Sequence, residues 1–193
     1  MCTLSSILQS DSCLNAAGGI KSFYLLPFAD LDSITNGVGA NEVSAISLTS
    51  SGTPVIYKFE PDEEEATYTQ VSERLSSRSV SVSQTITGNF ISVSSAEVLN
   101  IDNLNNCCKG FLAFVICNQE DANGNPLIFM SGIRLQGISG GFRQSQKALR
   151  TDAVEVNMQT LGTDSRVTLN LMCVDPSFAP VFTGTEADLD ALL

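Results

Sequence analysis

Apolar and polar positions alternate strictly along residues 78–87, where Val80, Val82 and Ile86 share one face and Ser79, Ser81, Ser83, Thr85 and Thr87 share the other. A two-residue period of this kind predicts a half-buried β-strand. The same period returns near the C-terminus, with Val154, Val156 and Met158 in phase over 152–160 and Val167, Leu169 and Leu171 in phase over 166–173. The intervening Gly162-Thr163-Asp164 predicts that these two strands form an antiparallel pair. Residues 111–117 are apolar on both faces, which predicts a central strand covered on both sides. Asn123-Gly124 in the connection over 119–126 predicts a hairpin between that strand and one over 127–136. Residues 20–28 read as a first strand with Phe23, Leu25 and Pro27 on one face, and the proline predicts an edge position. Residues 43–48 and 54–60 flank Ser50-Ser51-Gly52-Thr53 as a predicted hairpin, with Val55, Tyr57 and Phe59 inward and Lys58 and Glu60 towards water.

The breaks in this pattern are as informative. After Gly88 and Asn89 the apolar phase moves to Ile91 and Val93, as an inserted residue in a bulge would cause. Ser94 or Ser95 can cap a helix over about residues 95–106, in which Val98, Ile101 and Leu104 recur at helical spacing and are expected to pack on the sheet. Residues 29–42, rich in Asp, Asn and Gly, read as loop. Gly137, Gly140 and Gly141 read as a bend, since their spacing does not match a dinucleotide fingerprint. Over 142–150, Arg143, Lys147 and Arg150 stand at helical offsets. Asp175-Pro176 ends the strands, and Thr185 can cap a last helical turn holding Leu189 and Leu192. The expectation is a mainly β fold, an antiparallel β-sandwich or barrel with one flanking α-helix. An N-terminal arm (1–19) would precede a β-rich domain (20–174) and an acidic C-terminal tail (175–193).

Composition narrows the function. A chain of 193 residues, 43% hydrophobic, can bury the core of one domain. Its 10 basic and 21 acidic residues give a net charge of −11, which disfavours gripping nucleic-acid phosphates and suits a wall past which DNA slides. The absence of histidine removes the commonest general acid–base. The sequence has no Ser-x-x-Lys or P-loop pattern, and with no histidine to activate a serine no enzyme activity is expected. Six cysteines, at 2, 13, 107, 108, 117 and 173, show no Cys-x-x-Cys spacing, and Cys117 and Cys173 read as small buried hydrophobes. Asp121, Asn123 and Asn125 resemble part of a calcium loop, but the glycine falls too early and no glutamate stands at 132. No metal or other cofactor is expected. No apolar stretch approaches bilayer length and no secretory signal opens the chain, so the expectation is a soluble protein made in a cytoplasm.

Charge is segregated along the chain. Glu63, Glu64 and Glu65 close an acidic turn, while Arg143, Lys147 and Arg150 supply three of the ten basic residues. These two groups are expected to meet across a contact between copies of the chain.

Strands, one middle helix and more strands, with flexible ends and an acidic surface, resemble across residues 20–174 the bacteriophage tail-tube family and its relatives in injection machines. The resemblance implies a β-sandwich or barrel flanked by a helix, assembled as rings, usually hexamers, whose inner sheet lines a DNA conduit. It implies a place in the virion, assembled in the host bacterial cytoplasm with other tail proteins, with DNA only as passing cargo and no membrane. The arm 1–19, the hairpin 43–60 and the C-terminal tail would then make ring-to-ring contacts. A neck, ring or tail-completion protein fits the same likeness. The alternative is a non-enzymatic β-sandwich that recognises carbohydrate or protein. The lack of tryptophan and the presence of only three tyrosines weigh against it.

Overall fold

Two-residue alternation dominates the structure as it dominates the sequence. The computed structural model describes residues 18–39, 41–49, 56–62, 65–75, 79–91, 103–104, 109–121, 124–136, 141–157 and 166–193. The strands among them are β1 (Ile20–Pro27), β2 (Leu31–Asn36), β3 (Glu42–Leu48), β4 (Tyr57–Phe59), β5 (Thr67–Arg74), β6 (Val80–Ile91), β7 (Phe111–Glu120), β8 (Pro126–Ser131), β9 (Ile133–Gln136), β10 (Gly141–Gln144), β11 (Lys147–Asn157), β12 (Arg166–Asp175) and β13 (Val181–Phe182). A short helix, α1 (Glu186–Asp190), follows them. The fold is mainly β, as expected. Strands run in the order β2-β3-β13-β8-β7-β11-β12-β6-β5, with β1 also on β7 and β4 on β1, while β9 and β10 form a separate ribbon. Among the described residues only the β13–β3 pair is parallel. No pairing among the described residues closes a barrel.

Among the described residues a single residue pair, Leu149 with Phe111, joins β11-β12-β6-β5 to the other strands. The assembly therefore behaves as two packed sheets. Phe23, Leu25, Phe111, Ala113 and Val115 of β1 and β7 meet Ile86, Leu169, Leu171 and Cys173 of the facing sheet. The alternate residues, Tyr24, Leu26, Leu112, Phe114 and Ile116, point the other way, into a second core with Val43, Ile56, Ile128, Met130, Phe182 and Leu189. β1 and β7 thus form a middle layer buried on both faces. Each fully buried Leu, Ile or Phe there contributes about 1.5–3 kcal/mol relative to exposure. Phe23 and Phe59 stack at 5.1 Å, with Phe90 edge-on to both rings.

Several expectations need correction. β1 lies between β4 and β7, not at an edge, because Pro27 is its last residue and no interior amide is missing. The predicted loop 29–42 contains β2, whose Leu31 and Ile34 are buried three apart; a register shift between Leu31 and Ser33 hides the usual period. β3 pairs with β2 and β4 with β1, so 43–60 is not a hairpin, and Tyr57 is exposed. β6 has no bulge: its register with β12 runs unbroken from Val82 to Ile91. Phe90 keeps the inward phase, and Gly88 makes room for it, since a Cβ there would lie 3.1 Å from the Phe23 ring and 3.2 Å from that of Phe90. The predicted strand 127–136 is cut into β8 and β9 at Gly132. Its φ of +98° and the 2.4 Å a Cβ would leave to the Phe111 carbonyl oxygen both require glycine.

Other elements stand as read. β7 is the doubly covered central strand, the Asp121–Asn125 turn joins it to β8, and β11 pairs antiparallel with β12. β12 ends at Asp175. Thr185 caps α1 with a capping box to Asp188. Of the predicted helix 95–106, residues 103 and 104 are helical and Leu104 packs on the first core. The rest of that helix and the arm at 1–17 lie outside the described residues. The segment 175–193 is built into the body through β13 and α1.

Candidate functional site

The outward face of β5, β6, β12 and β11 is built by the polar half of the alternation. Val82, Gln84, Ile86 and Gly88 of β6 and Val167, Leu169, Leu171 and Cys173 of β12 are buried. Their neighbours therefore point out: Ser83, Thr85, Thr87 and Asn89 from β6, and Thr168, Asn170, Met172 and Val174 from β12. Thr67 and Thr69 of β5 stand directly beside Thr87 and Thr85. Lateral bonds order the face, with the Thr87 hydroxyl donating to Asn170 Oδ1 at 2.8 Å and the Thr168 hydroxyl to Asn89 Oδ1 at 2.6 Å. In a chain of net charge −11 this surface presents hydroxyls and amides without a carboxylate at its centre. Charge enters at its margins, through Glu155, Lys147 and Arg150 of β11, Glu73 of β5 and an ion pair between Glu65 and Arg166.

Both borders of this sheet are open strands. β5 pairs only with β6, and beyond Leu149 β11 pairs only with β12, among the described residues. The open end of β5 and β6 also exposes apolar side chains: Val71 at 52%, Leu75 at 47% and Val80 at 42%. Unpaired backbone and exposed aliphatic groups together make such an edge a template for another strand.

The charged residues expected to mediate contacts are not one patch. Residues 142–150 form β10 and the start of β11 rather than continuing at helical offsets: β10 pairs with β9 and β11 with β12, and Phe142 and Leu149 pack into separate cores. Arg143 lies on the β9–β10 ribbon opposite Arg134. Lys147 and Arg150 lie on β11, opposite Val174 and Met172, and all three are exposed. Glu65 is engaged within the chain by Arg166. Glu63 and Glu64 lie outside the described residues.

A polar clamp escaped the sequence reading. The Tyr24 hydroxyl donates to Asp190 Oδ1 at 2.6 Å, and Lys58 Nζ lies 3.4 Å from Glu186, 3.5 Å from Asp190 and 5.4 Å from the Tyr24 ring centroid. Lys21 Nζ reaches Glu186 at 2.8 Å. Burial and the bond to Asp190 push the Tyr24 phenol upward. The bonds to Glu60 and Tyr24 raise Lys58. Burial works against the Glu186 charge, yet the Lys21 and Lys58 ammoniums outweigh it and hold that carboxyl below its ordinary range. Asp190 is lowered chiefly by the Tyr24 hydroxyl. The signal was present as Glu186 and Asp190, four apart and so on one helical face.

The described cysteines and one carboxylate are withdrawn from solvent. Burial pushes the Cys173 thiol up to about 12 and the Cys117 thiol up to about 11, which keeps both protonated and unreactive. Cys173 Sγ donates to Gln84 Oε1 at 3.3 Å. Asp175 is 1% exposed, and no donor meets either carboxylate oxygen in good hydrogen-bond geometry, although the Ser145 hydroxyl lies near. Burial raises its pKa against the opposing pull of Ser145 and Arg134. Among the described residues no group of three or more His, Cys, Asp or Glu side chains could hold a metal ion, and no helix is long and apolar enough to cross a membrane. Comparison of the chain with protein-family models, curated proteins and solved structures gave no significant match to any of them.

Proposed function

We propose that the protein is a non-enzymatic structural subunit that joins copies of itself edge to edge into a ring or tube, the conduit of a bacteriophage tail. The observation that carries this reading is the sheet β11-β12-β6-β5, which has two unlike open edges and one uncharged, hydroxyl-rich face. Pairing β5 of one copy with β11 of the next is a head-to-tail contact, and such contacts close into rings when the rotation allows. The exposed Lys147 and Arg150 flank the β11 edge and complement the acidic remainder of the chain. With this face turned inward, the lumen would offer hydroxyls and amides, and the acidic body would add no cation cluster for phosphates to hold. DNA would then pass as cargo without adhering. Location in the virion and contact with other tail proteins belong to the same proposal.

A glycan-binding adhesion module is the second reading, and the hydroxyl and amide face favours it. The exposed aromatic side chains, Tyr57 and Phe178, are on β4 and beyond β12 rather than on that face, and sugar sites usually rely on aromatic platforms. Light scattering across a concentration series tests the first reading, with Val71→Lys as the comparison. The expected outcome is large particles for the native chain and a folded monomer for the variant, whose added charge blocks the edge. A native chain that stays monomeric throughout contradicts it.

A further inference from the structure

The C-terminal segment reaches its place by an indirect route. β12 ends at Asp175 in one sheet, and the chain then crosses to the other, where β13 enters between two strands from much earlier in the sequence. Val181 pairs with Glu42 and with Phe129, and Phe182 pairs with Val43 and with Ile128. Met130 N–H donates to the Pro180 carbonyl and Thr183 N–H to that of Val43, both at 2.8 Å. β13 is the element through which the β2–β3 hairpin joins β8. Phe182 meets the Phe114 ring edge-on at 5.3 Å, while Leu189 is buried in the same core.

Without this segment β3 and β8 would face each other as unpaired edges over an apolar floor, so any stable state needs the slot filled. The slot recognises a sequence, and every copy of the chain carries it. Residues 176–193 hold Glu186, Asp188 and Asp190 and no basic residue, while the body presents Lys21 and Lys58 to them. The hinge is open to solvent: Pro176, Ser177 and Phe178 are exposed, Phe178 at 51%, and prolines at 176 and 180 stiffen the stretch.

We propose that residues 179–193 are an exchangeable donor strand, so that β13 and α1 of one copy seat in the β3/β8 slot of a second copy by turning about residues 176–178. The exchanged state makes the same pairings as the closed one, so concentration and hinge length decide between them. The inference stands independently of whether β5 and β11 edges close a ring.

Zero-length carbodiimide coupling on the full chain tests it, because Lys21 and Glu186 are in direct ion-pair contact. Chains with natural and heavy nitrogen are co-refolded, coupled, and read by mass spectrometry of the Lys21–Glu186 peptide pair. Exchange predicts mixed-isotope links in statistical proportion within the oligomeric fraction. It also predicts fewer of them when three Gly-Ser residues are inserted after Ser177, since a longer hinge favours self-closure. Links that are entirely same-isotope overturn the inference, whether the protein is monomeric or oligomeric. An oligomer with only same-isotope links rejects the exchange and leaves the ring reading intact.

Discussion

The two sheets of this protein use the same alternating backbone for opposite ends. In the layer of β1 and β7 both halves of the alternation are apolar and both are buried, so Phe23 and Tyr24, or Ala113 and Phe114, face separate cores. In β6 and β12 one half is mostly apolar and buried, and the other carries mainly Thr, Ser and Asn side chains, with Thr87 bonded to Asn170 and Thr168 to Asn89. The first arrangement commits every residue to stability. The second leaves a face with no carboxylate at its centre and, among the described residues, two open edges, which on the proposed reading serve assembly. The difference places stability in one layer and, on the proposed reading, contact in the other.

Substitutions should separate these roles sharply. Phe114→Ala in the middle layer is expected to cost about 3–5 kcal/mol in urea unfolding, since it empties space between two packed elements. Thr85→Ala on the open face should change stability by no more than about 0.5 kcal/mol. Comparable losses at the two sites would erase the distinction. Gly132→Ala should rank next, at about 1–3 kcal/mol, because an L side chain is strained at a φ of +98° and would strike the Phe111 carbonyl. A melting curve superimposable on that of the native chain would show that the β8–β9 break is not conformationally demanding.

Acidity sharpens the comparison from another side, because the two ends of the C-terminal region carry shifts of opposite sign. Asp175 has a folded-state pKa raised by burial. The stability it contributes is complete below the unfolded carboxylate pKa and is lost as pH rises through the folded value. Glu186 and Asp190 have lowered values, so their contribution is present above the unfolded pKa and is lost as pH falls through the folded one. Asp175→Asn should therefore stabilise the protein at neutral pH and flatten the decline between acidic and neutral conditions, whereas Glu186→Gln should flatten the acid limb. Thermal melts from pH 3 to pH 8 would reveal these signs, and a variant at Asp175 that is less stable at neutral pH would contradict the assignment. A small effect is also expected of Lys58→Gln. It removes partly exposed ion pairs and should cost about 1 kcal/mol or less, seen as faster amide exchange in α1.

How much of this was legible in the sequence depended on how regular the alternation is. β6 and β12 could be read directly, because Val82 with Ile86, and Val167 with Leu169 and Leu171, keep a period of two without interruption, and β7 because it is apolar on both faces; β11 was read only from residue 152 on, since register shifts at Lys147/Arg150 and Thr151/Ala153 break its period. β2 was missed because a register shift spaces Leu31 and Ile34 by three. The hairpin over 43–60 was wrong because turn residues announce a change of direction but not which neighbour the next strand takes. That choice fell to the Phe23–Phe59 register. Arg143, Lys147 and Arg150 stand at helical offsets in the sequence, but the pairing of β10 with β9 and of β11 with β12, which local spacing does not reveal, puts them on strands. The open face was visible as a row of Ser and Thr. Its significance was not, since only the pairing of β5, β6 and β12 lays those residues side by side. The clamp joining Tyr24 and Lys58 to Glu186 and Asp190 spans more than 120 residues of sequence and depends on tertiary placement.

The central claim is that the open edges of the β11-β12-β6-β5 sheet join copies of the chain around a hole lined by its hydroxyl face. Negative-stain electron microscopy of the purified full chain tests it most directly. The account predicts rings or tubes with a central channel; separate particles of single-subunit size at every concentration would contradict it.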